Sequence, residues 1–158
     1  ALQTGAVDAA EWVGPYDDLK LGLNDAAQFY YAPGWWEPGP TLEIQINIAE
    51  WDKLPQEYQE VLKTAAHEAN TTMLARYDAR NQTALQELVA GGTQLRTYSD
   101  DILNAAQEAS FSLYDDLAQS DPDFNSIYTE WKAFKDGIQS WHSFIETAYA
   151  TFIAQQYQ

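Results

Sequence analysis

Thr41-Leu42-Glu43-Ile44-Gln45-Ile46-Asn47-Ile48 alternates polar and apolar side chains over eight residues, and directly afterwards the period changes. From Leu54 onward Tyr58, Val61, Leu62, Ala65, Ala69 and Met73 trace one helical face. Pro55 suits the first position of that helix, and Gly91-Gly92 stops it after Ala90. The alternating stretch predicts a strand with one buried and one polar face, which suits a strand beside a cleft or hinge. The helix that follows is long enough to lie across a large body.

Working outward, Gln28 to Ala32 predicts another strand, closed by Pro33-Gly34, and Ala6 to Trp12 a third, ended by Gly14-Pro15. Between them Asp17 or Asp18 is placed to cap a short helix reaching Ala27. Ala1-Leu2-Gln3-Thr4-Gly5 reads as the end of a helix with Gly5 at its left-handed position, a hint of residues upstream. Downstream, Thr93 to Tyr98 predicts a strand, and Ser99 caps a helix that Ser120-Asp121-Pro122-Asp123 breaks. Ile127, Trp131, Phe134, Ile138, Trp141, Ile145, Ala148 and Phe152 then form a heptad-like seam. Phe144, Tyr149 and Ile153 widen it, and Gly137 marks a kink or a close approach. By itself the seam suits either the core of its own subunit or a long partner helix. The predicted order β-α-β-β-α-β-α-α holds more helix than four strands can cover, which points to a sheet completed by something else.

Composition narrows the function. The 158 residues carry 24 acidic and 8 basic side chains, a net charge of −16. Nucleic-acid binding needs clustered Lys and Arg, and an anionic membrane surface repels such a chain. No run approaches the roughly 20 apolar residues of a membrane helix, and no signal peptide is visible at the start. There is no Cys, hence no disulfide or thiolate metal site. His67 and His142 lie in predicted helices outside any HExxH frame or nucleophile elbow. Gly91-Gly92 lacks the Lys and following helix of a phosphate loop.

The chemistry-bearing groups are Glu11-Trp12 and Trp35-Trp36-Glu37, each following a predicted strand where the chain leaves a sheet. Ligands of open α/β sheets bind beyond those strand ends. Two carboxylates meeting there repel unless one is protonated or a cation lies between them. Sodium or calcium takes oxygen ligands of that kind. The same carboxylate pair beside aromatic platforms also suits an acidic glycan hydrolase using Glu11 and Glu37. A helical interaction protein acting through the aromatic seam is another reading. So is the plain one, with Trp residues in the core and Glu residues on the surface.

Gly5-Ala6-Val7-Asp8-Ala9-Ala10-Glu11-Trp12-Val13-Gly14-Pro15 resembles the solute-binding subunits of tripartite ATP-independent periplasmic (TRAP) transporters. Tyr30-Tyr31-Ala32-Pro33-Gly34-Trp35-Trp36-Glu37-Pro38-Gly39 and Trp51-Asp52-Lys53-Leu54-Pro55-Gln56-Glu57-Tyr58-Gln59 are similar to the branch that binds 2-oxoacids such as pyruvate. The resemblance implies an α/β fold, the C-terminal half of a two-domain, type II-like periplasmic binding protein with mixed sheets, hinge-crossing strands and long C-terminal helices. Residues 1–48 would carry the hinge strands and site loops, 49–98 the long helix and a strand, and 99–158 the C-terminal helices. It implies no enzyme activity but capture of a small 2-oxo or 2-hydroxy carboxylate with Na⁺ or Ca²⁺, outside the cytoplasm, for delivery to TRAP membrane subunits. Glu11, Glu37 and the Trp12 carbonyl would hold the cation, and Trp12, Trp36 and Glu37 would meet the ligand. In the family an Arg clamp and a Gln ligand lie upstream, so residues 1–158 alone are expected to bind incompletely. The branch is similar to a helix-swapped homodimer in its assembly, which gives the seam, within a helix over 125–156, a partner.

Overall fold

The computed structural model describes residues 1–37, 39 and 42–157. The chain divides into two units, Ala1–Ser99 and Asp100–Gln158.

In the first unit Gly5 takes a φ of 69°. The Gly5 and Ala6 N–H groups donate to the Leu2 and Ala1 carbonyls at 3.1 and 3.0 Å. This nested pair is the hydrogen bonding of a helix C-terminus, with Gly5 where a side chain would be strained. The strand predicted over residues 6–12 does not form; the segment is exposed and irregular. A strand exists only beside another that takes up its backbone groups, and among the described residues none runs there.

Helix α1 spans Pro15–Leu21 and ends at Gly22, whose φ is 67°. Neither Asp17 nor Asp18 caps it, contrary to expectation. Both sit inside its first turn, where negative charge favours the positive end of the peptide dipoles. A short 3₁₀ turn, Leu23–Asp25, replaces the rest of the predicted helix. Strand β1, Phe29–Ala32, falls inside the predicted stretch.

The sharpest departure is the alternating stretch. Residues 42–47 have no regular structure, and Leu42 and Ile44 are 73% and 72% exposed. Ile48 instead opens a short helix, α2, Ile48–Trp51, because the Asn47 side chain accepts from the Ala49 and Glu50 N–H groups at 2.9 and 3.3 Å. Alternation describes what a strand would bury, yet no neighbouring strand among the described residues receives it. Thr41, with Pro38 and Pro40 of the preceding loop, lies outside the described residues.

Helix α3, Gln56–Ala90, is 35 residues long, as its period predicts, with Pro55 at the N-cap. Gly92 ends it at a φ of 99°, and the Thr93 and Gly92 N–H groups return to Leu88 and Val89. Strand β2, Gln94–Thr97, then pairs parallel with β1, Phe29 opposite Gln94 and Ala32 opposite Thr97. Parallel pairing requires a crossover of this kind. The C-terminal half of α3 packs on α1, and Ala84 and Leu88 there are buried. Tyr58, Val61 and Leu62, on the predicted apolar face of the other half, are exposed.

The second unit begins with α4, Asp100–Ser120, and α5, Pro122–Phe144, joined at Asp121. Asp121 caps α5 by accepting from the Asp123 and Phe124 N–H groups at 2.9 and 3.1 Å. The two helices pack through Phe111 and Tyr114 of α4 on Phe124, Tyr128 and Trp131 of α5, with ring centroids 5.8–6.5 Å apart. Tyr128 is buried at their contact.

The seam is not one continuous helix. Ile145, with φ −105° and ψ −69°, separates α5 from α6, Glu146–Ala154, and a 3₁₀ turn over Gln155–Tyr157 follows. Helix α5 runs on through Gly137, and among the described residues nothing lies within 4 Å of where its Cβ would be, so none makes the expected close approach. The face of α5 turned to α4 is offset from the seam, so Ile127, Phe134, Trp141 and Phe144 stay exposed.

Candidate functional site

Glu11 and Trp12 stand in the irregular segment that leads into α1, and Glu37 in the loop that leaves β1. Both segments lack a ladder or helix of their own, so their positions are inherited from the elements they join. Those elements bring Glu11, Trp12, Val13 and Glu37 around one cavity of about 180 Å³. Three of the expected site residues therefore meet. Trp36 does not line that cavity. Its ring meets Trp35 edge-on at 5.5 Å and Tyr98 at 6.1 Å.

The supports of these segments come from farther along the chain. Gly14 has no side chain to cap α1, and the Asn81 Oδ1 of α3 accepts the Tyr16 N–H at 3.0 Å instead. Arg80 donates to the Tyr16 hydroxyl at 2.9 Å and lies over its ring. Deeper in α1, Asp18 is only 5% exposed and accepts the Tyr30 hydroxyl of β1 at 2.5 Å. Burial pushes the Asp18 carboxyl above its usual range, an effect the Tyr30 hydrogen bond partly opposes. Burial, and then the neighbouring Asp18, push the Tyr30 phenol well up.

Within β1, Tyr31 stacks at a tilt on Tyr98, 5.2 Å between centroids. The Tyr98 N–H continues the ladder to the Ala32 carbonyl at 3.0 Å. Asp18, Tyr30, Asn81 and Tyr98 were not among the expected site residues. Asp18 had a signal as a candidate helix cap, Tyr30 and Tyr98 had one as members of predicted strands, and Asn81 had none.

The lining residues fit a hard cation in kind: two carboxylate side chains, with no His or Cys. Among the described residues no group of three or more His, Cys, Asp or Glu gathers. A depression of about 690 Å³ between α4 and α5, lined in part by Asp115, Tyr128, Lys132 and Asp136, is larger. Its Lys132 is already 3.6 Å from Asp115, an ion pair on a solvated surface, and it brings together none of the expected residues.

Residues 1–121 match the family described as bacterial extracellular solute-binding protein, family 7. Over 152 residues the chain is 57% identical to a monocarboxylate 2-oxoacid-binding periplasmic protein of Nostoc sp. (strain PCC 7120). It covers 96% of this chain and 42% of that protein. Among solved structures it is similar to a TRAP transporter solute-binding protein from Bordetella bronchiseptica, at 38% identity and a TM-score of 0.89. That protein is described as a mixed-occupancy dimer with copurified calcium and picolinate in one active site and the other apo; the match covers all of this chain and 48% of that one. It is similar also to a TRAP periplasmic solute-binding protein from Pseudoalteromonas atlantica with bound sodium and pyruvate, at 29% identity and a TM-score of 0.88, over 96% of this chain and 46% of that one. The chain thus spans about half the length of these relatives. With that span, it belongs to family 7 of the bacterial extracellular solute-binding proteins, those that serve TRAP transporters.

Proposed function

We propose that this chain supplies the cation-binding side of an extracytoplasmic protein that captures a small 2-oxo or 2-hydroxy carboxylate with Na⁺ or Ca²⁺. One observation carries the reading: Glu11-Trp12 and Glu37, on separate segments of the chain, line one small cavity. Glu11 and Glu37 hold the cation through carboxylate oxygens, and the Trp12 carbonyl adds a main-chain donor. A bound cation neutralises the pair and offers open positions to the ligand's carboxylate and keto oxygens. The Trp12 ring walls the cavity against water, which strengthens the electrostatics inside it. Trp36, braced by Tyr98, meets the ligand only if closure of the protein around it turns that ring inward. Residues 1–48 supply the site loops and a hinge-crossing segment, 49–98 the long helix and a strand, and 99–158 the C-terminal helices.

The protein works by capture and release to TRAP membrane subunits, and its family is one of solute binding. Among the described residues no helix is long and apolar enough to cross a membrane. The exposed faces of α5 and α6 pair with those of a second copy, in keeping with the dimer of the Bordetella relative.

Calorimetry on the full-length protein with pyruvate and calcium chloride tests the site. Glu11→Gln and Glu37→Gln should each weaken calcium and pyruvate together, by about tenfold or more, since each removes a charged ligand. Unchanged affinity in both variants would remove the reading. Turnover of a glycan abolished by Glu37→Gln would replace it with the hydrolase.

A further inference from the structure

The two carboxylates of the cavity sit on segments with no regular backbone pairing, so something must set their separation. Glu11 shortly precedes α1, and Glu37 shortly follows β1. Helix α1 is tied to α3 by Asn81 and Arg80, and β1 is tied to β2 by its ladder. Together these links relate Glu11 to Glu37 only the long way round, through α3 and β2. The hydrogen bond between α1 and β1 relates them directly, running from the Tyr30 hydroxyl to Asp18 Oδ2 at 2.5 Å.

We infer that Asp18 and Tyr30 are positioning residues for the proposed cation site, holding the Glu11 and Glu37 segments at the spacing that lets both carboxylates face one cavity. This rests on the reading of that cavity given above. Asp18 is almost wholly buried, so water does not readily replace the hydroxyl if the bond is lost. A single contact there is enough to matter, because it joins α1 and β1, the two elements from which the loops leave. Neither side chain lines the cavity, so the pair acts through Glu11 and Glu37 rather than on the cation. Support of this kind, behind the ligands, typically governs metal affinity by about 10–100-fold.

The test is calcium titration of the full-length protein at saturating pyruvate, read by calorimetry, with thermal midpoints measured alongside. Tyr30→Phe and Asp18→Ala each break the tie and should weaken calcium binding by roughly tenfold. Asp18→Asn keeps an oxygen to accept the Tyr30 hydroxyl and should bind within about threefold of the parent. Leu88→Ala, which opens a buried site on α3, should lower the midpoint while leaving calcium affinity unchanged. Should Tyr30→Phe fail to fold, the contrast between Asp18→Ala and Asp18→Asn reports the same tie. Parent-like affinity in Tyr30→Phe and Asp18→Ala, with Glu11→Gln still abolishing binding, would overturn the inference and leave the site reading standing. Affinity losses that simply follow the midpoints across all four variants would also overturn it. Parent-like binding in Glu11→Gln would overturn the site reading and the inference together.

Discussion

Asn81 caps a helix from which it is separated by most of the first unit. Its Oδ1 takes the Tyr16 N–H because Gly14, at the N-cap of α1, has nothing to offer. Asn81→Ala should therefore cost about 1 kcal/mol, the usual worth of an N-cap, read as a lower urea midpoint at unchanged slope. Asp18 acts on stability in a pH-dependent way. Burial raises its folded value above 3.8, so the folded chain holds this proton more tightly than the unfolded chain does. Its contribution is full below that unfolded value and is lost as pH rises through the raised folded one. Asp18→Asn removes this dependence and keeps an acceptor for Tyr30. As pH rises from about 4 through that raised value, the parent's thermal midpoint should fall more steeply than the variant's; parallel scanning-calorimetry curves would refute this.

Helix α5 carries two apolar faces because its aromatic residues recur at more than one helical offset. Phe124, Tyr128 and Trp131 meet α4, while Ile127 and Phe134 do not. Gly137 sits between turns with open space around it and a helical backbone. Gly137→Ala should thus stabilise the protein by up to about 1 kcal/mol, the intrinsic cost of Gly in a helix. Denaturant unfolding checks it, and a loss of stability would mean that a partner helix occupies that space. Helix α3 shows the same division along its length, packed toward its C-terminus and bare toward its start.

For the molecule as a whole, the aromatic seam leaves a row of large apolar side chains exposed, as an interaction surface does. Trp141 and Phe144, at 55% and 77% exposure, lie at the centre of the proposed dimer contact. Trp141→Asp with Phe144→Asp should convert the full-length protein from dimer to monomer in sedimentation velocity, because two charges would be buried unpaired. Pyruvate affinity should change little, since the seam and the carboxylate cavity share no residues. A dimer that survives both substitutions would refute the helix contact.

Periodicity and punctuation made α3, α4, β1 and β2 legible, since their signals are local: helical spacing, Gly92 and Asp121 at the ends, and β-formers bounded by Pro33. Glu11, Trp12 and Glu37 were legible as residue types and by resemblance to a family. The contacts that support their segments were not, because Asp18, Tyr30 and Asn81 join α1, β1 and α3 in a way that no local pattern encodes. The alternating stretch around Leu42 and Ile44 shows the converse. A period of two says which face a strand would bury, whereas a strand forms only when a neighbour supplies the other half of its hydrogen bonds. Local pattern thus decides what each segment is able to be, and long-range pairing decides which of those states is stable.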